Sequence, residues 1–561
     1  MKAAELLVRC LENEGVQYVF GVPGEEVLDI MDALSRSSIR FIVTRHEQGA
    51  AFMADAYGRL TGRAGVCLAT LGPGATNLTT GIADAQLDFA PLVAITGQTG
   101  LERLHKESHQ FVDVVKIFEA VTQWNIRVHR PETIPEVVRK AFRVAEQEKP
   151  GATHIELTTD VQEAEVDDGL HPLSPRRARR PSPDRTALQH AADVIARARF
   201  PVILAGSSAV RRPEAAMELR RFAARFGIPV THTFMGKGAV SDYEPLSLMP
   251  VGLPGNADLC ASGLCGADTV ICVGYDQVEY HPERWNPRCD KRIVHIDYTP
   301  SEVDRFYRPE VEVVADIRES LEMLGSVLRY QPSERAKAKL AELASLVSQE
   351  RRAAPVEDGT PVHPMRLVQV ARQVLGEEDI LVSDVGAHKL WLGRYYPAFL
   401  PNTVLISNGY SAMGFGLPAG MAAKLVYPNR RVLVCAGDGG FLMSCAELET
   451  AIRLGLGVVV LVWQDNSYGM IRWKQQLEGK VPFGVDFGNP DFAALARSFG
   501  AAGYQIGPDD DLAAVLEEAF HQGRPAVVAV PVDADENPRL NERLRSLPCP
   551  FPETCLRPRG G

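Results

Sequence analysis

No apolar run in this 561-residue chain approaches the ~20 residues that carry a helix across a bilayer, which argues against a membrane-spanning protein. Basic residues are outnumbered, 60 Lys and Arg against 71 Asp and Glu, for a formal net charge of −11. A nucleic-acid binder needs clustered cations to neutralise phosphates, so nucleic acid is not an expected partner. Close cysteine pairs are also missing. Cys260, Cys265, Cys272 and Cys289 lack the spacing of a zinc site, while Cys67, Cys272 and Cys435 sit inside apolar strand-like runs. The expectation is reduced, buried thiols in a cytoplasmic protein, not a metal cluster or a disulfide framework. Residues 1–5 begin an amphipathic helix with an acidic residue, unlike a signal peptide. The middle of the chain has Gly206-Ser207-Ser208 and no Gly-x-Gly-x-x-Gly after a strand, which disfavours a nicotinamide dinucleotide site.

What is present is ordinary globular composition, 45% hydrophobic and 23% charged, over a length that suits three or four domains of ~100–200 residues. In the first part, strand candidates at 18–20, 41–43, 65–68 and 92–95 alternate with helical patterns around 26–35, 47–60 and 77–87. Such alternation builds βαβ units and a parallel sheet. Glycine and proline gather where strands end, at 21–24 and 72–74, and those carboxyl ends form the ligand crevice of a doubly wound sheet. An arginine- and proline-rich stretch over 172–183 reads as an exposed tether rather than a localisation signal. Strand patterns resume at 201–206 and 270–274, and a polar stretch over 331–364 sets off the last third. There the strands, at 380–382, 404–406, 432–435, 458–462 and 526–530, are continuous apolar runs suited to burial on both faces. The fold class is α/β, with three doubly wound parallel-sheet domains over 1–168, 184–330 and 360–540, and a loosely held tail over 541–561.

The most informative segment runs from the strand at 432–435 into Ala436-Gly437-Asp438-Gly439-Gly440-Phe441, and from the next strand into Gln464-Asp465-Asn466-Ser467-Tyr468-Gly469. Asp438 and Asp465, 27 positions apart, therefore end two consecutive strands. A crossover of that length makes the strands parallel and brings both carboxylates to one edge. Hard oxygen ligands of this kind suit Mg²⁺, which commonly bridges protein carboxylates to phosphates. The glycines let backbone approach a diphosphate closely, and the following helix start offers unpaired N–H groups. A bare Gly-Asp-Gly is common in surface turns; the second acidic turn at this distance gives the signal. A further candidate is Glu47, where the strand at 41–43 ends in Thr44-Arg45-His46-Glu47-Gln48-Gly49 and a helix opens. Taken alone, it reads equally as a helix-start Glu favoured by the dipole.

With residues 45–58, 70–77 and 437–450, and with Ser407-Asn408-Gly409 and Met413-Gly414-Phe415-Gly416-Leu417-Pro418, the chain resembles the thiamine-diphosphate-dependent acetolactate synthase family from Ala3 to about Leu540. The resemblance implies an N-terminal pyrimidine-binding domain and a C-terminal diphosphate- and Mg²⁺-binding domain flanking a Rossmann-like middle one. It implies Asp438 and Asp465 as side-chain metal ligands, with the main-chain carbonyl of Ser467 as a third. Most members carry Asn where Asp465 stands, so Asn466 remains an alternative ligand; spacing and the catabolic branch favour Asp465. Glu47 would hydrogen-bond the pyrimidine and promote activation of the coenzyme, and Gln110, in Ser108-His109-Gln110-Phe111, would orient substrate. Pro73, Asn77, Gly386, His388, Gly409, Gly437, Gly439, Gly440, Tyr468, Gly469 and Met470 would bind the cofactor, and Met413 would prop it into a bent shape.

The middle-domain run over 273–286 looks like the FAD-independent, catabolic branch, so FAD is not expected. Lys474, with Trp473 one residue earlier, stands where anabolic members place a Trp that favours 2-ketobutyrate, which points to pyruvate as acceptor. Met413–Gly416 and Pro23-Gly24-Glu25-Glu26 depart from well-known catabolic members. The implied activity is decarboxylation of pyruvate and ligation to a second pyruvate, giving 2-acetolactate and CO₂. It implies a homodimer or homotetramer with active sites between subunits. A non-ligating 2-keto acid decarboxylase is the nearest alternative. Such enzymes present an adjacent His-His pair, and His105-Lys106-Glu107-Ser108-His109 has none. The helical spacing of His105 and His109 has no further metal-ligand pattern beside it. A catalytically inactive binding or regulatory scaffold is the third reading, one that loss of Glu47 or Asp438 would mark.

Overall fold

The computed structural model describes residues 1–176, 178–254, 257–351 and 359–554. Short apolar strands with few polar side chains collect into three sheets, every strand pair parallel. The first comprises β1 (Tyr18–Gly21), β2 (Arg40–Val43), β3 (Gly65–Ala69), β4 (Leu92–Gln98), β5 (Trp124–Val128) and β6 (Ala152–Thr158), in the order β2-β1-β3-β4-β6-β5. The second has β7 (Pro201–Ala205), β8 (Val230–His232), β9 (Thr269–Val273), β10 (Arg292–Asp297) and β11 (Val311–Val314), ordered β11-β10-β9-β7-β8. The third has β12 (Ile380–Ser383), β13 (Val404–Ile406), β14 (Val432–Gly437), β15 (Val459–Gln464), β16 (Ala502–Gln505) and β17 (Ala526–Pro531), ordered β13-β12-β14-β15-β17-β16. Strand for strand, the third sheet repeats the order of the first. No helix among the described residues is long and apolar enough to cross a membrane.

The two like-ordered domains share one hydrophobic core. Helix Glu47–Thr61 presents small residues to helix Pro73–Leu87 and to helix Gly416–Val426, and the ring of Phe52 meets that of Phe415 edge-on at 5.7 Å. Close approach is built in, since a Cβ on Gly81 would lie 2.5 Å from that of Ala51. Polar groups are buried in the same interface. Asp84 accepts from the Ser407 hydroxyl at 2.7 Å, and Asp88 accepts from Gly409 N–H at 2.5 Å and from Arg59 at 3.3 Å. Burial pushes the Asp55 carboxyl up to about 7 and raises Asp84 as well. Both oxygens of Asp55 and one of Asp84 lack a fixed partner, and burial favours their protonated forms, while Asp88 is ion-paired with Arg59.

Four expectations need correction. The polar stretch over 331–364 contains helix Glu334–Arg351, whose sparse apolar face (Ala336, Leu343, Leu346, Val347) is buried and whose Glu350 pairs with buried Arg394 at 2.8 Å. The tail is not loose as far as it is described. Helix Glu536–Ser546 packs on the third domain, and Phe551 lies against Phe200 of the second, with ring centroids 5.1 Å apart. His105 and His109 sit in a turn-rich segment after the short helical turn Leu101–Arg103, so their spacing is not that of one helix. Finally, Cys260 and Cys265 do belong to a thiol cluster, because the fold brings Cys549 to them from the far end of the chain.

Candidate active site

β14 and β15 are neighbours in register, Gly437 opposite Trp463, so the residues that follow them leave the sheet side by side. Asp438 opens helix Asp438–Ser444, and its carboxylate accepts from the N–H of Gly439 (2.8 Å) and of Asn466 (2.7 Å) and from the Asn489 amide (2.8 Å). Asp465 accepts from Ser467 N–H at 3.0 Å. Burial raises both carboxyls, and the negative neighbour adds to the rise at Asp465, which reaches about 6. Two carboxylates held in one half-buried place repel each other, and a divalent cation is the partner that relieves this. The side chain of Asn466, at φ 54°, turns instead to Asn489 (2.7 Å) and Gln464 (3.3 Å). Between the two candidates, Asp465 is the one that faces the cavity.

That cavity, about 260 Å³, is lined by Asp438 and Asp465 with Gly386, His388, Met413 and Tyr468, and the backbone of Gly437, Gly439 and Gly440 forms one wall. Ser467, Gly469 and Met470 complete the rim. The glycines are needed where they stand. A Cβ on Gly440 would come within 3.2 Å of the Asp384 carboxylate, and one on Gly469 would collide with Asp465. The Ser467 hydroxyl and His388 Nε2 are buried without a hydrogen-bond partner. Desolvation lowers His388 to about 4, so it faces the cavity as a neutral imidazole. Unpaired polar atoms beside a glycine cradle and two carboxylates fit a metal-bound diphosphate. Met413 is set by Asp384, a buried carboxylate at the end of β12 that accepts from the N–H groups of Gly414 (3.0 Å) and Gly416 (3.1 Å).

The N-terminal candidates form a separate group. Glu47 opens its helix and accepts from the Asn77 amide at 2.9 Å. Pro73 starts the neighbouring helix, and Gln110, at φ 56°, lies so close to Gly72 that a Cβ there would come 2.4 Å from the Gln110 carbonyl oxygen. Glu47, Pro73, Asn77 and Gln110 thus share one edge of the first sheet. Among the described residues, none of this group lines the cavity at Asp438. Gly409 lies apart from both, its N–H on Asp88 in the domain interface.

Sequence reasoning missed several members. Asp384 and Trp463 end strands and were open to the argument that found Asp438, but neither belongs to a recognisable turn. Asn489 lies 51 positions from its partner Asp438, with no spacing to reveal it. Glu447, only 1% exposed, reaches from the third domain to the N–H groups of Arg45 (3.0 Å) and His46 (3.1 Å), directly before Glu47. Trp473 is buried in the third domain's core, away from the cavity, leaving no indole at its rim from that turn.

Three family models match: the thiamine pyrophosphate enzyme N-terminal TPP-binding domain over residues 1–117, the central domain over 188–324 and the C-terminal TPP-binding domain over 384–530. The chain is 37% identical to the catabolic acetolactate synthase of Raoultella terrigena, covering 96% of this chain and 97% of that one. It is 35% identical to the acetolactate synthase of Bacillus subtilis, over 98% and 96% of the two. A probable acetolactate synthase large subunit of Methanocaldococcus jannaschii is 34% identical, over 96% and 93%.

Proposed function

Because the chain belongs to the thiamine pyrophosphate enzymes, in the acetolactate synthase family, we propose that it converts two molecules of pyruvate into 2-acetolactate and CO₂. The observation that carries the proposal is the convergence of Asp438 and Asp465 on one cavity whose walls combine glycine backbone, His388 and Ser467 with apolar side chains such as Met413 and Met470. Bound thiamine diphosphate supplies the electron sink that lets a 2-keto acid lose CO₂. Asp438, Asp465 and the Ser467 carbonyl would hold Mg²⁺, and the Gly437–Gly440 backbone would cradle the diphosphate. Glu47, oriented by the Asn77 amide, would hydrogen-bond the pyrimidine ring, and Gln110 would position the keto acids. The first pyruvate loses CO₂, and its former carbonyl carbon bonds to the keto carbon of the second. No electrons leave the reactants, so the reaction needs no electron carrier.

No first-domain residue lines the cavity, and apolar side chains stand exposed in the loop after helix Gly469–Leu477, whose start forms part of the rim, Val481 at 86% and Phe483 at 87%. Both observations support an assembly in which a second copy covers this face and contributes its Glu47, as a homodimer or homotetramer. Buried thiols at Cys10, Cys67 and Cys435 support a reducing compartment, the cytoplasm.

Incubation with pyruvate, thiamine diphosphate and Mg²⁺ tests the assignment. Acetolactate, read as acetoin after acid treatment, is the expected product. Acetaldehyde without acetolactate would show a non-ligating decarboxylase instead. A visible spectrum of the purified protein is expected to lack flavin bands, and 2-ketobutyrate is expected to be a poorer acceptor than pyruvate.

A further inference from the structure

Outside the lining of the cavity, three cysteines from the middle and the far end of the chain meet. Cys260 and Cys265 belong to the turn-rich segment before β9, where Gly263 at φ 73° folds the backbone back on itself. Cys549 follows the last helix, 284 positions beyond Cys265, yet their sulfurs are 3.6 Å apart. The ligand atoms of all three lie within 4.8 Å of one another, and all are half-buried or buried. Two thiolates at ~2.3 Å from one tetrahedral ion stand ~3.8 Å apart, whereas disulfide sulfurs are ~2.05 Å apart. The observed separation is too long for a disulfide and close to that of two ligands on one metal, a distance that an S–H···S contact also gives. Thiolates spanning an iron–sulfur cluster would stand farther apart, around the inorganic sulfides.

We propose that Cys260, Cys265 and Cys549 bind a structural Zn²⁺ that fastens the C-terminal segment to the middle domain. The surroundings are shaped for a docked tail. Phe551 packs against Phe200 with the rings tilted by 50°, a Cβ on Gly266 would enter the Phe551 ring, and Lys339 donates to the Pro550 carbonyl at 2.9 Å. Lys291, hydrogen-bonded to the Ala267 carbonyl at 2.8 Å, lies close enough to Cys265 to offset thiolate charge. On binding, the thiols release their protons to solvent and the thiolates become ligands. Soft sulfur donors select zinc over Mg²⁺, so this site and the carboxylate site do not compete for one ion. Three thiolates leave one tetrahedral position for another donor.

The full-length protein, purified without added metal, is assayed for zinc by plasma mass spectrometry and its zinc environment read by X-ray absorption. About one zinc per chain with sulfur neighbours at ~2.3 Å is expected, lost in C260S, C265S and C549S and retained in D438N and C289S. Should the cysteine variants fail to fold, the wild-type protein serves. Stripping zinc with a thiol-reactive mercurial is then expected to speed proteolysis after Arg543 and Arg545, and zinc with reductant to restore resistance. A Cys265–Cys549 disulfide found by mass spectrometry would overturn the proposal. So would zinc with only oxygen and nitrogen neighbours, or zinc retained in all three variants.

Discussion

Glu447→Ala removes the grip of the third domain on the segment that leads into Glu47. The wild-type carboxylate accepts from Arg45 N–H at 3.0 and 3.2 Å, from His46 N–H at 3.1 Å and from the Thr450 hydroxyl at 2.7 Å. Hydrogen bonds to a charged acceptor contribute ~1.5–3 kcal/mol each. Arg45 and His46 are exposed, so water replaces part of what is lost there, and the net cost is about 2–4 kcal/mol. For a domain of this size that corresponds to a fall of roughly 5–12 °C in the transition involving the third domain. Activity falls further than stability alone would require, because the start of helix Glu47–Thr61 loses its external anchor; about a 100-fold drop in kcat is expected. Glu447→Gln keeps the shape and one acceptor, and is expected to retain most of the stability and an intermediate rate. Acetolactate formation under saturating coenzyme and differential scanning calorimetry supply the two readings. If Glu447→Ala stays within threefold of wild-type kcat and melts within a degree of it, Glu447 does not position the Glu47 helix.

Asp465→Ala is expected to weaken Mg²⁺-dependent activation at least 100-fold, whereas Asn466→Ala shifts it by less than about tenfold, measured by Mg²⁺ titration of the rate after chelation. Asp55 is pushed up to about 7 by burial, so the folded chain keeps a proton that the unfolded chain gives up near pH 4; stability is therefore lost as pH rises from about 4 to 7, and Asp55→Asn should flatten that slope in melting curves. A pH slope unchanged by Asp55→Asn would place the buried proton elsewhere. Gly469→Ala would drive a Cβ into the Asp465 carboxylate and is expected to raise the Mg²⁺ requirement without lowering the melting temperature by more than a few degrees.

The sequence exposed the parts of the fold whose signals are local. β14 and β15 are uninterrupted apolar runs because both faces are covered, and the turns after them carry Asp438 and Asp465 at a spacing set by one crossover. Edge and mixed strands were less visible. β5 is half-buried and reads Trp-Asn-Ile-Arg-Val, while β10 includes His295 and Asp297, polar yet buried. Helix Glu334–Arg351 looked like a linker because its anchoring residues, Glu350 and Arg351, are charged and find their partners 44 and 109 positions away. Asn489, Glu447 and the acidic group at Asp55 and Asp84 acquire meaning only from partners brought by the tertiary fold. The same holds for Cys549: its neighbours Cys260 and Cys265 are close in sequence, but the third thiol is not.

Mixing two inactive variants tests most directly whether each active site joins the first domain of one copy to the third domain of another. Glu47→Gln and Asp438→Asn are each expected to be nearly inactive alone. If sites form between copies, a mixed dimer contains one site with both residues intact, and equal mixing after dissociation restores about a quarter of wild-type acetolactate formation. No recovery, with mixed dimers verified by native mass spectrometry, would mean that Glu47 and Asp438 serve the same site from the same chain, contrary to this account.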